Sequence, residues 1–454
     1  MKSDQQAAKN QASVPAITVS ALRIRGGGLS FPTPRFKSTA VASAAATTAP
    51  VKMKRVRIAA FDSMRFFLAA AIVLGHFCRF ANPSDFVFRL LSQHNVIVGC
   101  FFALSGYVTA YTSTEPGERV ASAKLLETPK QKWILSRIFG FYPLHLLVLL
   151  LFSPVFLYAD VRYSGWLVGV WHGVMSVTMT QAWFPMHAEI WNAPTWYLSA
   201  LAFATAIFPF SLPSMAKMTK PQLRRTTGWL FVVNLLPKLS YFYDFAGTVS
   251  LMEGVASPKL FPNVAIFNML RFNPLLLVAE IFMGAVACRL VMLDDAPGEE
   301  PPMPTNALST AIPLLGMMGL LWARAAGLWE VSDMLVRSVL FVPLFLRFLQ
   351  STHRNTVRTT VKDPLVKVLS NRFLVSLGNL TFPIFILHGP IGQVFFKKII
   401  ATKLFGGVLK GPEYFTLYLV TVLMSAWLVQ ETFLQSKAVG DWSKKTVDQL
   451  SSWM

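Results

Sequence analysis

FDSMRFFLAAAIVLGHFCRF, residues 61–80, determines how the rest of the chain is interpreted. The stretch is long and apolar enough for a membrane helix, yet it contains Asp62, Arg65, His76 and Arg79. Ionisable side chains inside a membrane helix are costly, so they mark a candidate functional site. Because Arg65 and His76 are eleven residues apart, a helix places them about 20° apart around its axis and about 16 Å apart along it. They can engage two ends of one long substrate, or two substrates in one cleft.

The composition indicates a membrane protein. Of the 454 residues, 54% are hydrophobic and only 14% are charged, whereas soluble proteins carry about 25% charged residues. A soluble protein this apolar would lack polar residues to cover its surface. The net charge of +20 fits basic cytosolic loops beside anionic headgroups. No basic stripe with interleaved aromatic residues is present, so we expect a lipid bilayer and no nucleic acid as partner.

Apolar segments of about spanning length recur along the chain. They predict an all-α, polytopic membrane helix bundle of about 10–11 transmembrane helices. The segments lie near 61–80, 94–113, 133–159, 164–184, 193–214, 228–243, 272–293, 306–324, 331–350, 373–396 and 412–434. Those at 228–243 and 306–324 are the weakest, because they are short or interrupted by Pro and Gly.

The flanking segments predict three regions. Residues 1–57 are rich in Ala, Ser, Thr and basic residues, which is typical of a disordered cytosolic tail or of an organelle transit peptide. Residues 58–434 are predicted to form the membrane domain, and 435–454 a short polar tail. The three cysteines lie in apolar runs without a ligand spacing, so neither a disulfide framework nor a metal site is expected.

The charges of the loops test this arrangement. Basic loops follow the second, fifth and ninth segments, which predicts that all three face the cytosol. Three crossings lie between the first two of these loops, which would put them on opposite sides. Either one of 133–159, 164–184 and 193–214 does not fully span, or the rule fails locally. The segment 164–184 and its polar, aromatic loop are the best candidate, and we predict that they contribute to a chamber.

His76 and Arg65 are the leading catalytic candidates. A neutral imidazole can accept a proton from a hydroxyl, which is the role of a general base; the alternative is a hydrogen bond to a neighbouring helix. The Arg65 guanidinium suits a phosphate group. It can also form a salt bridge with Asp62 one turn away, and both roles are compatible.

Five further residues are candidates for substrate binding, each with a structural alternative. Ser105 is a packing residue or a nucleophile, although a nucleophile would need a paired base. Arg137 anchors the cytosolic face or binds a second phosphate, and Trp196 is an interface aromatic or part of a wall that stacks on a sugar. Glu280 requires a partner or water within its apolar helix, and His388 orients the site or caps a helix.

Taken together, these motifs resemble the membrane acyltransferase-3 family, of which the chain looks like a divergent member. Five blocks in order across about 61–395 carry the resemblance: FDSMR with His76, FFALSGY, SRIFGFYP, RFNPLLLVAEIFMG and GNLTFPIFILHGP. The chain departs from the family pattern at Gly140, where the family often has Arg, and at Leu201, where it commonly has Glu.

The resemblance implies an enzyme that moves an acyl group, often acetyl, from acyl-CoA to a hydroxyl of a sugar, glycan, lipid or small molecule. Acyl-CoA is then a donor substrate, and no permanently bound cofactor is expected. His76 and Arg65 would be catalytic, and the substrate would contact Arg137, Ser105, Trp196, Glu280 and His388. The alternatives are a transporter or lipid- or solute-handling protein that uses the same intramembrane charges, and a catalytically degenerate member serving as a receptor or scaffold.

Overall fold

A computed structural model describes residues 55–294, 306, 308–357 and 362–453. Within these residues the chain consists of helices without strands, and the one β pairing is an isolated bridge between Thr114 and Ala121. The all-α prediction is therefore confirmed. Almost all of the predicted tail 1–57 lies outside the described residues.

The main helices are labelled in chain order. They are α1 Ala60–Phe77, α2 His94–Ser113, α3 Tyr142–Ser164, α4 Trp166–Thr178, α5 Trp196–Lys217, α6 Lys220–Asp244, α7 Pro274–Asp294, α8 Leu308–Ala325, α9 Val342–Val357, α10 Thr381–Ile391, α11 Pro412–Val429 and α12 Lys437–Trp453. Shorter α-helices are Asp85–Leu91, Ala123–Glu127, Lys130–Ile138, Val264–Phe272, Asp333–Val336, Pro364–Leu369, Arg372–Leu377 and Ile399–Phe405. Single turns of 3₁₀-helix are Cys78–Ala81, Gln181–Trp183, Pro185–His187, Ala193–Thr195, Ala246–Thr248, Pro258–Leu260 and Gly378–Leu380, and π-helical turns are Arg337–Phe341, Gly392–Lys397 and Gln430–Leu434.

Nine helical stretches of the described chain are long and apolar enough to cross a membrane. They are Ala60–Ala81, Asp85–Ser113, Tyr142–Ser164, Ala193–Lys217, Val264–Asp294, Leu308–Ala325, Asp333–Val357, Arg372–Phe405 and Pro412–Leu434. The protein is therefore an integral, multi-pass membrane protein. The weak segment 306–324 is among the nine, whereas 228–243 is not.

The segment 228–243 lies in α6, which is less apolar but runs antiparallel beside α7. Lys220 at the start of α6 lies 3.1 Å from Asp294 at the end of α7, and Lys238 lies 3.6 Å from Glu280 farther along the pair. The two contacts are eighteen residues, or about 27 Å, apart on α6, which is most of the thickness of a bilayer core. Counting α6 gives ten crossings within the described chain, in the predicted range.

Helix α4 resolves the conflict between the loop charges. It has 13 residues, so it is about 20 Å long and too short for a hydrocarbon core of about 30 Å. Gly165 joins it to α3 with a φ of 92°, a conformation that glycine adopts without steric cost. Since α3 and α5 lie in two of the nine spanning stretches and α4 in none, the basic loops before α3 and after α5 lie on the same side.

The centre of the bundle is the contact between α2 and α7. A Cβ atom at Gly106 would lie 1.7 Å from the carbonyl oxygen of Ile281, and one at Gly284 would lie 1.9 Å from that of Ala103. The two backbones therefore touch, and small residues permit this close packing. Gly106 and Gly284 are therefore packing residues.

One end of the bundle, here called the basic end, is marked by Arg57, Lys220 and Arg354. Asp294 pairs there with Lys220 and, at 2.7 Å, with Arg354. Within the predicted polar tail, residues Lys437–Trp453 form α12 at this end. It packs on the helix Lys130–Ile138, where Lys132 lies 2.8 Å from Asp448.

Candidate active site

Two histidines that are 312 positions apart meet in the bundle. His76 Nδ1 lies 2.9 Å from His388 Nε2, and the two rings are stacked with an interplanar angle of 8°. His388 is fully buried in α10, whereas His76 near the end of α1 keeps exposed surface. The pair therefore joins a buried histidine to an accessible one.

The backbone of α10 determines where the protons lie. His388 Nδ1 is 2.7 Å from the carbonyl oxygen of Phe385 and 3.3 Å from that of Ile384. Carbonyl oxygens only accept, so His388 carries its proton on Nδ1, and Nε2 of the neutral ring accepts. His76 must then donate from Nδ1. This assignment leaves Nε2 of His76 unprotonated, as a general base requires.

His94 is the third member of this group. Its ring centroid lies 4.4 Å from that of His76 in an edge-on arrangement, and it is the first residue of α2. Because α1 and α2 are antiparallel, residues equally far from this contact lie at the same level. Ser105 follows His94 by eleven residues, just as Arg65 precedes His76 by eleven. Both therefore lie about 16 Å closer to the basic end than the histidines.

The level of Arg65 contains two hydroxyl groups. Ser105 Oγ lies 2.9 Å from the hydroxyl of Tyr197. Aromatic contacts lead from here to the histidines, since the Tyr197 ring lies 5.5 Å from Phe385 and Phe385 lies 6.1 Å from His388. All members of this wall except His388 are partly exposed. The space that they face is here called the chamber.

Arg65 is part of a cationic cluster at the chamber entrance. Its Nη1 lies 2.8 Å from Asp62, and Nη2 of Arg57 also lies 2.8 Å from that carboxylate. One carboxylate therefore faces two guanidinium groups, and the cluster retains positive charge. The predicted Arg65–Asp62 salt bridge is present and does not neutralise the entrance.

Arg137 adds a third level. Its Nη2 donates to Ser113 Oγ at 3.0 Å, and its guanidinium lies over Trp133 at 4.0 Å from the ring centroid. Ser113 is eight residues beyond Ser105 in α2, so Arg137 lies about 12 Å closer to the basic end. Burial lowers the pKa of Arg137 to about 9, which keeps the group charged at neutral pH. A desolvated cation of this kind gains from an anionic ligand.

Glu280 has protein partners. It is fully buried, accepts from Arg337 Nε at 3.0 Å and lies 3.6 Å from Lys238 Nζ. Lys238 also donates to Asn234 and Ser338. The cost of a buried carboxylate is thus offset by two cations, and the role of Glu280 in substrate binding stays a prediction.

Trp196 lies on a different face of α5 from Tyr197. Its ring packs against Phe272 at 5.0 Å, and it borders a small cavity together with Arg271, Arg337 and Lys238. The structure therefore brings Arg65, Ser105, His76 and His388 to the chamber wall. It places Trp196, with the partners of Glu280, at this second cavity.

The sequence did not predict Arg337, Lys238 or His94 as members of these sites. Arg337 lies within the apolar segment 331–350 and Lys238 within 228–243, where the cost of an intramembrane charge would have identified both. His94 had no signal beyond its residue type, since its contact with His76 depends on how two helices pack.

Comparison with known protein families assigns the chain to one of them. A family model described as an acyltransferase domain matches residues 58–431. The chain belongs to the acyltransferase-3 family. The match covers nearly all of the described chain and includes every candidate residue, so the membrane domain is an acyltransferase-3 domain. No curated protein and no solved structure matches the chain.

The two departures from the acyltransferase-3 pattern lie in different surroundings. Leu201 packs against the apolar cluster that contains Leu198 and Leu387, so this position of α5 offers an apolar contact instead of a carboxylate. Gly140 is exposed just after the helix Lys130–Ile138. A basic residue there would have extended the row of cations that Arg137 begins.

Proposed function

We propose that the protein transfers an acyl group, with acetyl as the first candidate, from acyl-CoA to a hydroxyl of a sugar, glycan, lipid or small molecule. His76 is the general base of this reaction. The observation that carries the proposal is the His76–His388 pair, which presents an unprotonated Nε2 on the accessible member. The family membership supports acyl transfer as the reaction class.

The donor enters from the basic end. Coenzyme A is long and polyanionic, and guanidinium groups bind phosphates in a bidentate manner. Arg137 and Arg65 lie at successive levels that lead to His76, so they hold the phosphates while the thioester arm extends along the chamber. The hydroxyls of Ser105 and Tyr197, 2.9 Å apart, offer hydrogen bonds to that arm.

The transfer needs one proton carrier and no covalent enzyme intermediate. His76 Nε2 takes the proton of the acceptor hydroxyl as its oxygen attacks the thioester carbonyl. A C–O bond forms, the C–S bond breaks, and the CoA thiolate leaves with the proton that His76 releases. While His76 is protonated, His388 continues to accept from its Nδ1–H, which stabilises the imidazolium.

The deciding experiment measures acetyl-CoA turnover by the purified full-length protein in nanodiscs with a panel of hydroxyl acceptors. We expect His76→Ala to lower kcat by about 100-fold or more, and Arg65→Ala to raise KM for acetyl-CoA more than it lowers kcat. Arg225→Gln removes an exposed arginine outside the chamber and serves as the charge control. Thermal melting verifies that each variant is folded.

Three outcomes would contradict the proposal. Unchanged turnover in His76→Ala would remove the general-base role. Movement of a solute across the membrane without release of CoA would favour the transporter. If the protein bound acyl-CoA or a hydroxyl compound but showed no turnover with any acceptor of the panel, a receptor or scaffold would be favoured.

A further inference from the structure

A larger cavity, distinct from the small one beside Trp196, lies in the half of the bundle next to the basic end. It is open, has a volume of about 670 Å³ and lies between α6, α7 and α9. Its inner part is apolar, with Phe231, Met283 and Leu290 among the residues that line it. Here it is called the groove.

The groove is separate from the chamber. Its α7 residues Met283, Ala287, Leu290 and Asp294 fall within about 60° of one another around the helix. The residues of α7 that contact α2, such as Gly284, lie about 100° or more from the centre of that group. Helices α7 and α2 therefore stand between the groove and the chamber wall.

The mouth of the groove carries an excess of positive charge. Lys220 and Arg354 share Asp294, whereas the exposed Arg224 and Arg347 also line the groove. Neither of these two arginines forms an ion pair or hydrogen bond within the described residues. Arg347 lies seven residues, or about 10 Å, deeper in its helix than Arg354. An unpaired charge at that depth is costly unless an anion meets it.

We propose that the groove binds an anionic phospholipid from the membrane leaflet at the basic end. Its phosphate lies between Arg224 and Arg347, and an acyl chain occupies the apolar part beside Gly228. Charge complementarity favours this occupant, because four of the described residues that line the groove are basic and one, Asp294, is acidic. The order of charge and apolar surface along the groove matches the order of headgroup and chain in such a lipid.

Gly228 allows the lipid chain to be tested separately from the headgroup. A Cβ atom at this position would meet nothing within 4 Å, so a larger side chain enters the groove without displacing protein atoms. Gly228→Leu should fill the site and leave the fold intact. Gly319 on α8 is also open on this criterion and does not line the groove, so Gly319→Leu is the matched control.

The experiment measures retention of phosphatidylglycerol and of phosphatidylcholine by the delipidated full-length protein, using native mass spectrometry. We expect preferential retention of phosphatidylglycerol. Each of Arg224→Gln and Arg347→Gln should weaken it by about fivefold, and Gly228→Leu should reduce it, whereas Arg225→Gln and Gly319→Leu should leave it unchanged.

Several results would overturn the proposal. Equal retention of the two lipids, or an equal effect of Arg225→Gln, would mean nonspecific association. Displacement by glycerol 3-phosphate as effective as by the lipid would mean a site for free phosphate. The acidic segment 295–305 lies outside the described residues. It would be the partner of Arg224 and Arg347 if the affinity for phosphatidylglycerol did not depend on these two arginines but rose in the double variant Glu299→Gln, Glu300→Gln.

Discussion

The proton on His76 is positioned by His388, and His388 is positioned in turn by the carbonyl of Phe385. This chain of two hydrogen bonds selects one tautomer of His76 without a carboxylate partner. Hydrogen-bond partners that orient metal-ligating histidines are typically worth 10- to 100-fold in affinity or activity, and we expect the same range for the partner of a catalytic histidine. His388 is thus a positioning residue in the proposed mechanism.

We expect His388→Leu to lower kcat by about 10- to 100-fold with little change in KM for acetyl-CoA, because the donor contacts are farther toward the basic end. His388→Gln should recover part of the rate, since its side-chain oxygen can accept from His76 Nδ1. The measurement is steady-state kinetics of both variants. An equal loss of kcat in His388→Leu and His388→Gln, or a change confined to KM, would contradict a positioning role.

The sequence predicted the relation between Arg65 and His76 because both lie on one helix, where spacing alone determines the face. It could not predict that His76 contacts His388, since that contact joins positions 312 apart and depends on the packing of α1 against α10. The cost of a buried carboxylate identified Glu280 as needing a partner. Arg337 and Lys238 were not identified as its partners, because these contacts also depend on helix packing.

At the scale of elements, the contact of α2 with α7 depends on two glycines. Gly106→Ala places a methyl group against the Ile281 carbonyl, so the helices must separate, and overpacking of this kind costs about 1–3 kcal/mol or more. We expect a lower apparent melting temperature, measured by thermal unfolding in detergent. Gly228→Ala is the control, because its surroundings are open and Ala is favoured over Gly in a helix by about 1 kcal/mol. Equal melting of the two variants would contradict the close contact.

A second element-scale contact predicts a dependence on pH. Glu253, in the loop before the helix Val264–Phe272, accepts from Ser332 and from the backbone N–H groups of Asp333 and Met334. Burial and then the nearby Asp333 raise the pKa of Glu253 to about 8. The folded state therefore holds a proton that the unfolded state releases above its ordinary pKa near 4.5, and stability falls as the pH rises through 8.

We expect the apparent melting temperature to decrease from pH 5 to pH 9, and Glu253→Gln to reduce this slope because the amide does not titrate. Melting curves of the original protein and of Glu253→Gln between pH 5 and pH 9 measure the slope of the apparent melting temperature against pH. A slope in Glu253→Gln equal to that of the original protein would show that another group is responsible.

The sequence predicted most elements but could not settle which of them cross. Apolar length identified α1, α2 and α3, because each lies in a stretch that is long and apolar enough to cross a membrane. It gave only a weak segment, 228–243, in α6, whose polar residues have partners on neighbouring elements, as Lys238 has in Glu280 and Ser338. In α4, loop charges rather than hydropathy indicated that the segment falls short.

At the scale of the whole molecule, the acyltransferase-3 family and the all-α membrane architecture followed from motif order and composition. The division into a chamber and a separate groove did not follow from the sequence. It depends on which faces of α7 meet α2 and which remain open, and an apolar helix gives no signal of this in its sequence. The two sites also carry separate predictions, because losing the groove arginines leaves the chamber contacts of Arg65 and His76 intact.

The order of crossings is testable in the intact protein by labelling with a membrane-impermeant maleimide. Cys78, Cys100 and Cys288 are buried, so single cysteines introduced at exposed positions dominate the signal. With α4 failing to span, Arg119→Cys, Arg225→Cys and Lys444→Cys lie on one side and Tyr163→Cys on the other. The basic loops assign the first three to the cytosolic side, so in sealed membranes these three should react from one side and Tyr163→Cys from the other, and all four should react after permeabilisation. Reaction of Arg225→Cys together with Tyr163→Cys would mean that α4 crosses the membrane. In that case α5 would run in the opposite direction through the membrane, and the proposed donor path would lose the support of Tyr197.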